Sequence, residues 1–209
     1  MKKFLPLALA ALSFFGAATA ANNTKKAAPK DTLVFTTIVS APVTSIKNQN
    51  NSGTCWAYSS LAFLESEALK KNPSLKPADV DLCESFVVAK TYNDRADRAV
   101  RTHGDVSFSQ GGSFYDVIYC MDRYGLVPEG TMPYPKTLYG DSLFNFKHFF
   151  PGLEAFVGSV AKGDHKTINP IWKKTVAQMV DGYFGEAPKT FKVKGKEYTP
   201  HTYVKDYLR

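Results

Sequence analysis

Signatures of metal and nucleotide chemistry are missing from this sequence. No Cys and His cluster has the spacing of a metal site, and neither a phosphate-cradling glycine loop nor a dinucleotide fingerprint occurs. No cofactor is therefore expected. Cysteine and histidine are scarce, at 3 and 4 in 209 residues. An odd cysteine count leaves at least one thiol unpaired, and sequence alone leaves open whether Cys83 and Cys120 pair or stay free. Long apolar runs are also lacking. The longest, Leu5 to Phe15, falls short of the ~20 residues a membrane span needs, so no membrane anchor is expected. Finally, 26 Lys and Arg stand against 19 Asp and Glu, but they are scattered rather than gathered into a basic run interleaved with aromatics. That pattern reads as a solvated surface and gives no motif for nucleic acid.

The amino end has the three parts of a secretory signal. Lys2 and Lys3 form a basic start, Leu5 to Phe15 an apolar centre, and Ala18-Thr19-Ala20 a small-residue cleavage site. Residues 1–20 are therefore expected to direct export to the periplasm or the outside of a bacterial cell. Residues 21–32 are polar and are expected to form a flexible lead-in. Leu33 to Val39, β-branched and aromatic, predicts a short strand, and residues 33–209 form the domain proper.

Within that domain the chemically telling stretch runs from Gln49 to Ser60. Thr54 is placed to N-cap a helix whose apolar stripe is Leu61, Phe63, Leu64, Ala68 and Leu69, ending near Lys71-Asn72-Pro73. Cys55 then falls in the first turn, where the positive dipole end and unpaired N–H groups favour a thiolate over a thiol. Gln49, six residues earlier and across a Ser-Gly-Thr turn, can offer its amide to the oxyanion formed when that thiolate attacks a carbonyl. A buried cysteine opening an ordinary amphipathic helix is the alternative. The joint presence of Gln49, Gly53 and Trp56 weighs against it.

This combination resembles the active-site segment of papain-like cysteine peptidases. Asp81-Leu82-Cys83-Glu84-Ser85 resembles the helix start that follows the nucleophile helix in that superfamily, with Cys83 as a small, partly buried residue. Gln110-Gly111-Gly112-Ser113-Phe114, then a stripe of Val117, Ile118, Met121 and Tyr124 closed by Gly125, resembles the segment that lines the substrate cleft. The resemblance implies that Gly111 and Gly112 hold the substrate backbone and that Trp56 borders the same site. Ser52 and Ser109 stand where papain and the cathepsins carry a bridging pair of cysteines. The Asn-Gln-x-x-Ser-Gly-x-Cys-Trp pattern, the Gln-Gly-Gly and Tyr124-Gly-Leu-Val-Pro128 instead resemble the bleomycin hydrolase and aminopeptidase C branch. Leu143–Val160 and Ile168–Phe184 predict two helices, interrupted at Pro151 and Gly163-Asp164, of the kind that branch inserts. Phe191 to Tyr198 predicts a hairpin around Gly195, and Thr199-Pro200 opens a last helical piece, Tyr203 to Leu208.

The implied fold is α+β and papain-like, comprising mainly its helical half with a helical insertion. A cysteine peptidase also needs an imidazole as base and an Asn or Asp to orient it. His103, His148, His165 and His201 are present. His201 lies within the roughly 130–150-residue spacing from the nucleophile, yet no Asn follows it and its surroundings do not match the family's. The β-rich half with His and Asn is expected to lie outside this sequence. The resemblance implies an exported cysteine-type peptidase, of aminopeptidase type, acting on peptide substrates through a Cys55 thioester and assembling as a homo-oligomer, a hexamer in that family. The alternative is a papain-fold remnant that binds a peptide or a partner protein.

Overall fold

The computed structural model describes residues 35–133, 143–163 and 166–208. The chain divides into residues 1–38, of which 35–38 are described, and a main unit, Val39–Arg209. The expected leader (1–20), the polar lead (21–32) and His165 lie outside the described residues.

Five helices carry the main unit: α1 Cys55–Lys71, α2 Glu84–Arg101, α3 Phe114–Tyr124, α4 Phe149–Lys162 and α5 Ile171–Phe184. A 3-10 turn, Pro77–Asp79, leads into α2. Strands β1 (Phe191–Val193) and β2 (Lys196–Tyr198) pair antiparallel, with Phe191 opposite Tyr198. Their turn places Lys194 and Gly195 at φ of 49° and 81°, the left-handed pair that a two-residue hairpin requires. A short α6, Pro200–Thr202, continues as a π turn over Tyr203–Leu208. Its start is set by a capping box in which Thr199 Oγ1 accepts from Thr202 N.

Helix α2 is the hub, packing against α1, α3, α4 and α5. Its first turns are apolar nearly all round, and Phe86, Val87, Val88, Ala89, Tyr92 and Ala96 are all buried. Helices α4 and α5 each turn a single stripe inward, Phe150, Leu153, Val157 and Ala161 on one and Trp172, Val176, Val180 and Phe184 on the other. Between them the Tyr92 ring meets Phe108, Phe146, Phe150 and Phe184 at centroid distances of 5.3–6.5 Å.

Three boundaries differ from the sequence expectation. Residues 35–39 form no strand; among the described residues no strand pairs with them, and a lone extended segment has no ladder. Helix α4 begins at Phe149 rather than Leu143 and runs on to Lys162. Pro151 does not interrupt it, because in a first turn the missing N–H would have had no partner anyway. Helix α5 begins at Ile171, where Asn169 Oδ1 accepts the Ile171 N–H at 3.0 Å.

Gly125 closes α3 at φ 79°, its N–H donating to Met121 O. A Cβ there would lie 2.5 Å from the backbone nitrogen of His201 and against the carbonyl carbon of Pro200. Both the left-handed conformation and this backbone contact exclude a side chain. Gly125→Ala should cost about 3 kcal/mol and lower the melting temperature by roughly 10 °C. A melt within 2 °C of the unaltered protein would show that α6 shifts freely away from α3.

Candidate active site

Cys55 opens α1 after Thr54, which occupies the N-cap but makes no side-chain cap bond. The Thr54 hydroxyl is instead 2.6 Å from that of Ser52, while its carbonyl accepts from Ala57 N at 2.9 Å and Tyr58 N at 3.3 Å. Cys55 is an exposed, free thiol at the positive end of a 17-residue helix. The other two cysteines are also free, but buried. Cys83 sits at the N-cap of α2. Burial pushes the thiol pKa of both Cys83 and Cys120 up to about 12.

A cleft of about 690 Å³ opens beside Cys55, lined also by Trp56, Ser59, Ser60, Phe63, Gly112, Ser113 and Phe114. Its walls are the first turns of α1 and the segment leading into α3. Phe63 and Phe114 meet edge to face across it, 5.5 Å between centroids, each about half exposed. Gly112 lies flat on the Trp56 indole, and a Cβ there would come within 2.5 Å of Trp56 Cδ2. A glycine is required at this point because the backbone touches a ring.

Gln110 ties the two walls together. Its Oε1 accepts from Gly53 N at 2.8 Å, and its carbonyl accepts from Trp56 Nε1 at 3.0 Å and from Tyr92 Oη at 3.3 Å. Arg95 of α2 adds bonds to the carbonyls of Ser109, at 3.2 Å, and Gly111. Its guanidinium lies 5.7 Å from the Trp56 ring centre and 3.6 Å from Asp116 of α3. The sequence shows Gln110 only as the start of the Gln-Gly-Gly motif and does not mark Arg95, since nothing local signals a contact between residues that far apart in the chain.

The loop before Cys55 is held on its other side. Asn51 O accepts from Phe146 N at 2.9 Å, and Asn50 Nδ2 donates to Phe144 O at 2.9 Å. Gln49 Nε2 donates to Ser52 O at 2.8 Å, and Ser52 Oγ returns a bond to Gln49 O at 2.8 Å. One amide hydrogen of Gln49 is thus engaged and a second remains. Gln49 and Gly111 are not among the residues that line the cleft, whereas Cys55, Trp56 and Gly112 are.

Two residues before Gln49, Lys47 enters an acidic cluster. Its Nζ lies 2.7 Å from Asp81, 2.9 Å from Glu84 and 3.9 Å from Glu129, and donates to Leu82 O at 2.7 Å. Burial opposes the ammonium charge, but Glu84 and Asp81 outweigh it, and the lysine pKa is raised. One cation shared among three carboxylates cannot offset the desolvation of each. Burial therefore pushes Glu84 from 4.5 up to about 7, against the attraction of Lys47. Burial also raises Glu129 and Glu65; Glu65 accepts from Thr44 Oγ1 and from Leu82 N at 2.7 Å.

Among the described residues that line the cleft none is a histidine. The backbone of His201 lies against Gly125, at the end of α3 away from Phe114, a helix of 11 residues and so about 16 Å long. Among the described residues no group of three or more His, Cys, Asp or Glu is placed to hold a metal ion, and no helix is long and apolar enough to cross a membrane.

A thiol heading a helix, with an adjacent tryptophan under a glycine-pair segment, defines the helical half of a papain-like α+β fold. Over residues 5–142 the sequence matches the Peptidase C1-like family, and the chain belongs to that family. Aminopeptidase G of Lactobacillus delbrueckii subsp. lactis is 27% identical over 135 residues, which is 54% of this chain and 28% of that protein. The mitochondrial cysteine proteinase 1 of Saccharomyces cerevisiae is 25% identical over 150 residues, 63% of this chain and 30% of that protein. The chain thus spans less than a third of the length of these relatives. The crystal structure of PepW from Lactobacillus rhamnosis HN001 shares the fold at a TM-score of 0.55 and 17% identity, covering 83% of this chain and 46% of that one.

Proposed function

We propose that this chain carries the nucleophile half of a cysteine-type peptidase, with Cys55 attacking the carbonyl of a peptide bond. The observation that carries this reading is the placement of Cys55, an exposed thiol at a helix start, in a cleft walled by Trp56 and Gly112. The free N–H of Gln49 and the backbone N–H at the head of α1 would stabilise the oxyanion. Collapse of that tetrahedral species expels the amine, which takes up a proton, and leaves a thioester on Cys55 that water then cleaves. The imidazole that moves those protons would come from outside the described residues around the cleft. Both relatives are named for peptidase action, the bacterial one as an aminopeptidase, which favours aminopeptidase action here, and the pattern of residues 1–20 favours export.

The test is release of a fluorescent amine from aminoacyl and N-blocked peptidyl amides, with Cys55→Ser as control. Release that falls at least about 1000-fold in Cys55→Ser supports the reading. A preference for the unblocked substrate supports an aminopeptidase. Release that survives Cys55→Ser would overturn it. A second reading is a cleft that binds peptides without cleaving them, its apolar lining of Trp56, Phe63 and Phe114 serving as the binding surface. Saturable peptide binding without any amine release would establish it.

A further inference from the structure

We propose that Arg95 is a positioning residue that sets the register of the peptide-binding edge at Gly112; this rests on the reading of the cleft as a peptide site. Arg95 projects from α2, the most heavily packed helix, and holds the far wall on both sides of Gly112. It donates to the carbonyls of Ser109 and Gly111, faces Asp116 in the first turn of α3 at 3.6 Å, and lies over the Trp56 ring next to the nucleophile.

With Gln110 O taken by Trp56 and Tyr92, three successive carbonyls, 109 to 111, are held inward. The next peptide group is Gly112, exposed and lining the cleft. Its N–H and C=O have no partner among the described residues and are free to pair with an extended peptide as an added strand would. Nη1 reaches both carbonyls while Nη2 faces Asp116, so one planar group ties the Ser109–Gly111 segment to the first turn of α3 in a fixed geometry. Arg95 therefore sets where the Gly112 edge stands relative to the Cys55 sulfur without touching substrate itself.

Gly111 is exposed, so water can solvate its carbonyl if Arg95 is removed. Loss of the guanidinium should thus disturb the edge more than the fold. The experiment compares inactivation of the full chain by a peptidyl epoxide with alkylation of Cys55 by iodoacetamide, which needs no bound backbone. In Arg95→Gln the half-saturating epoxide concentration should rise about tenfold or more. The limiting inactivation rate should stay within about threefold, and the iodoacetamide rate within about twofold. Arg95→Lys keeps the charge but not the fork, and should fall between the two; it supplies the reading if Arg95→Gln does not fold. Unchanged half-saturation in both variants, with saturable inactivation of the unaltered protein, would overturn the role of Arg95 alone. Inactivation of the unaltered protein that does not saturate would overturn the peptide-site reading and this proposal with it.

Discussion

Replacing Lys47 with methionine should destabilise the protein by about 3 kcal/mol near pH 8. Removing one partner of a buried ion pair typically costs ~3–5 kcal/mol, because the remaining charges stay buried without compensation. The lower end applies here, since side-chain exposure reaches 34% at Asp81 and 44% at Glu129 against 7% at Glu84. For a chain of this length that corresponds to roughly 10 °C in melting temperature. A loss below about 3 °C would mean that the carboxylates find water once the lysine is gone.

The same cluster gives the protein an unusual pH dependence. Glu84 has a folded pKa raised from 4.5 to about 7. Between those values the folded state holds a proton that the unfolded state has lost. The stability Glu84 contributes is therefore complete below about pH 4.5 and is lost as pH rises through about 7, on the order of 3 kcal/mol. Glu65 and Glu129 are raised in the same sense. Lys47, raised from 10.5, keeps its contribution up to that pH and loses it above. Glu84→Gln should accordingly flatten the stability profile between pH 4.5 and 7, and the deficit of Lys47→Met should shrink at pH 5. Chemical denaturation at pH 5 and 8 measures both, and parallel profiles for Glu84→Gln and the unaltered protein would exclude this account.

The second large effect separates the three thiols. Cys83 and Cys120 are 3% and 1% exposed, and with pKa values pushed up to about 12 only ~1 in 10⁴ molecules carries the thiolate at pH 8. Cys55 is exposed at a helix start. Iodoacetamide followed by peptide mass mapping should show Cys55 alkylated at least about 1000-fold faster than the other two. In denaturant all three should react alike. Comparable rates in the native protein would remove the basis for assigning Cys55 as nucleophile.

What could be read from sequence was what is local. Thr54 before an apolar stripe, Asn72-Pro73 after it, Gly125 behind α3 and the glycine of the β1–β2 turn each act within a few residues, and the elements begin or end there. Phe63 shows the limit of periodicity. It belongs to the apolar pattern of α1, yet it stands in the cleft beside Phe114 while Leu61 and Leu69 fill the core. A stripe wider than the core needs does not say which member is left for a ligand. Pro151 misled because a proline excludes only helix interiors, and it falls in the first turn of α4. Lys47, Glu65 and Arg95 act on residues distant in the chain, so no pattern along the sequence could announce them.

The hydrogen bond from Gly53 N to Gln110 Oε1 joins the residues immediately after Ser52 and Ser109. Because an amide and not a sulfur–sulfur bond spans the cleft walls at this point, their spacing does not depend on the redox state of the surroundings. A nucleophilic thiol must be kept from oxidation, and the dithiol concentrations that protect Cys55 would sever a bridge placed here. Strongly reducing conditions should therefore leave the wall that faces Cys55 as firmly held as before.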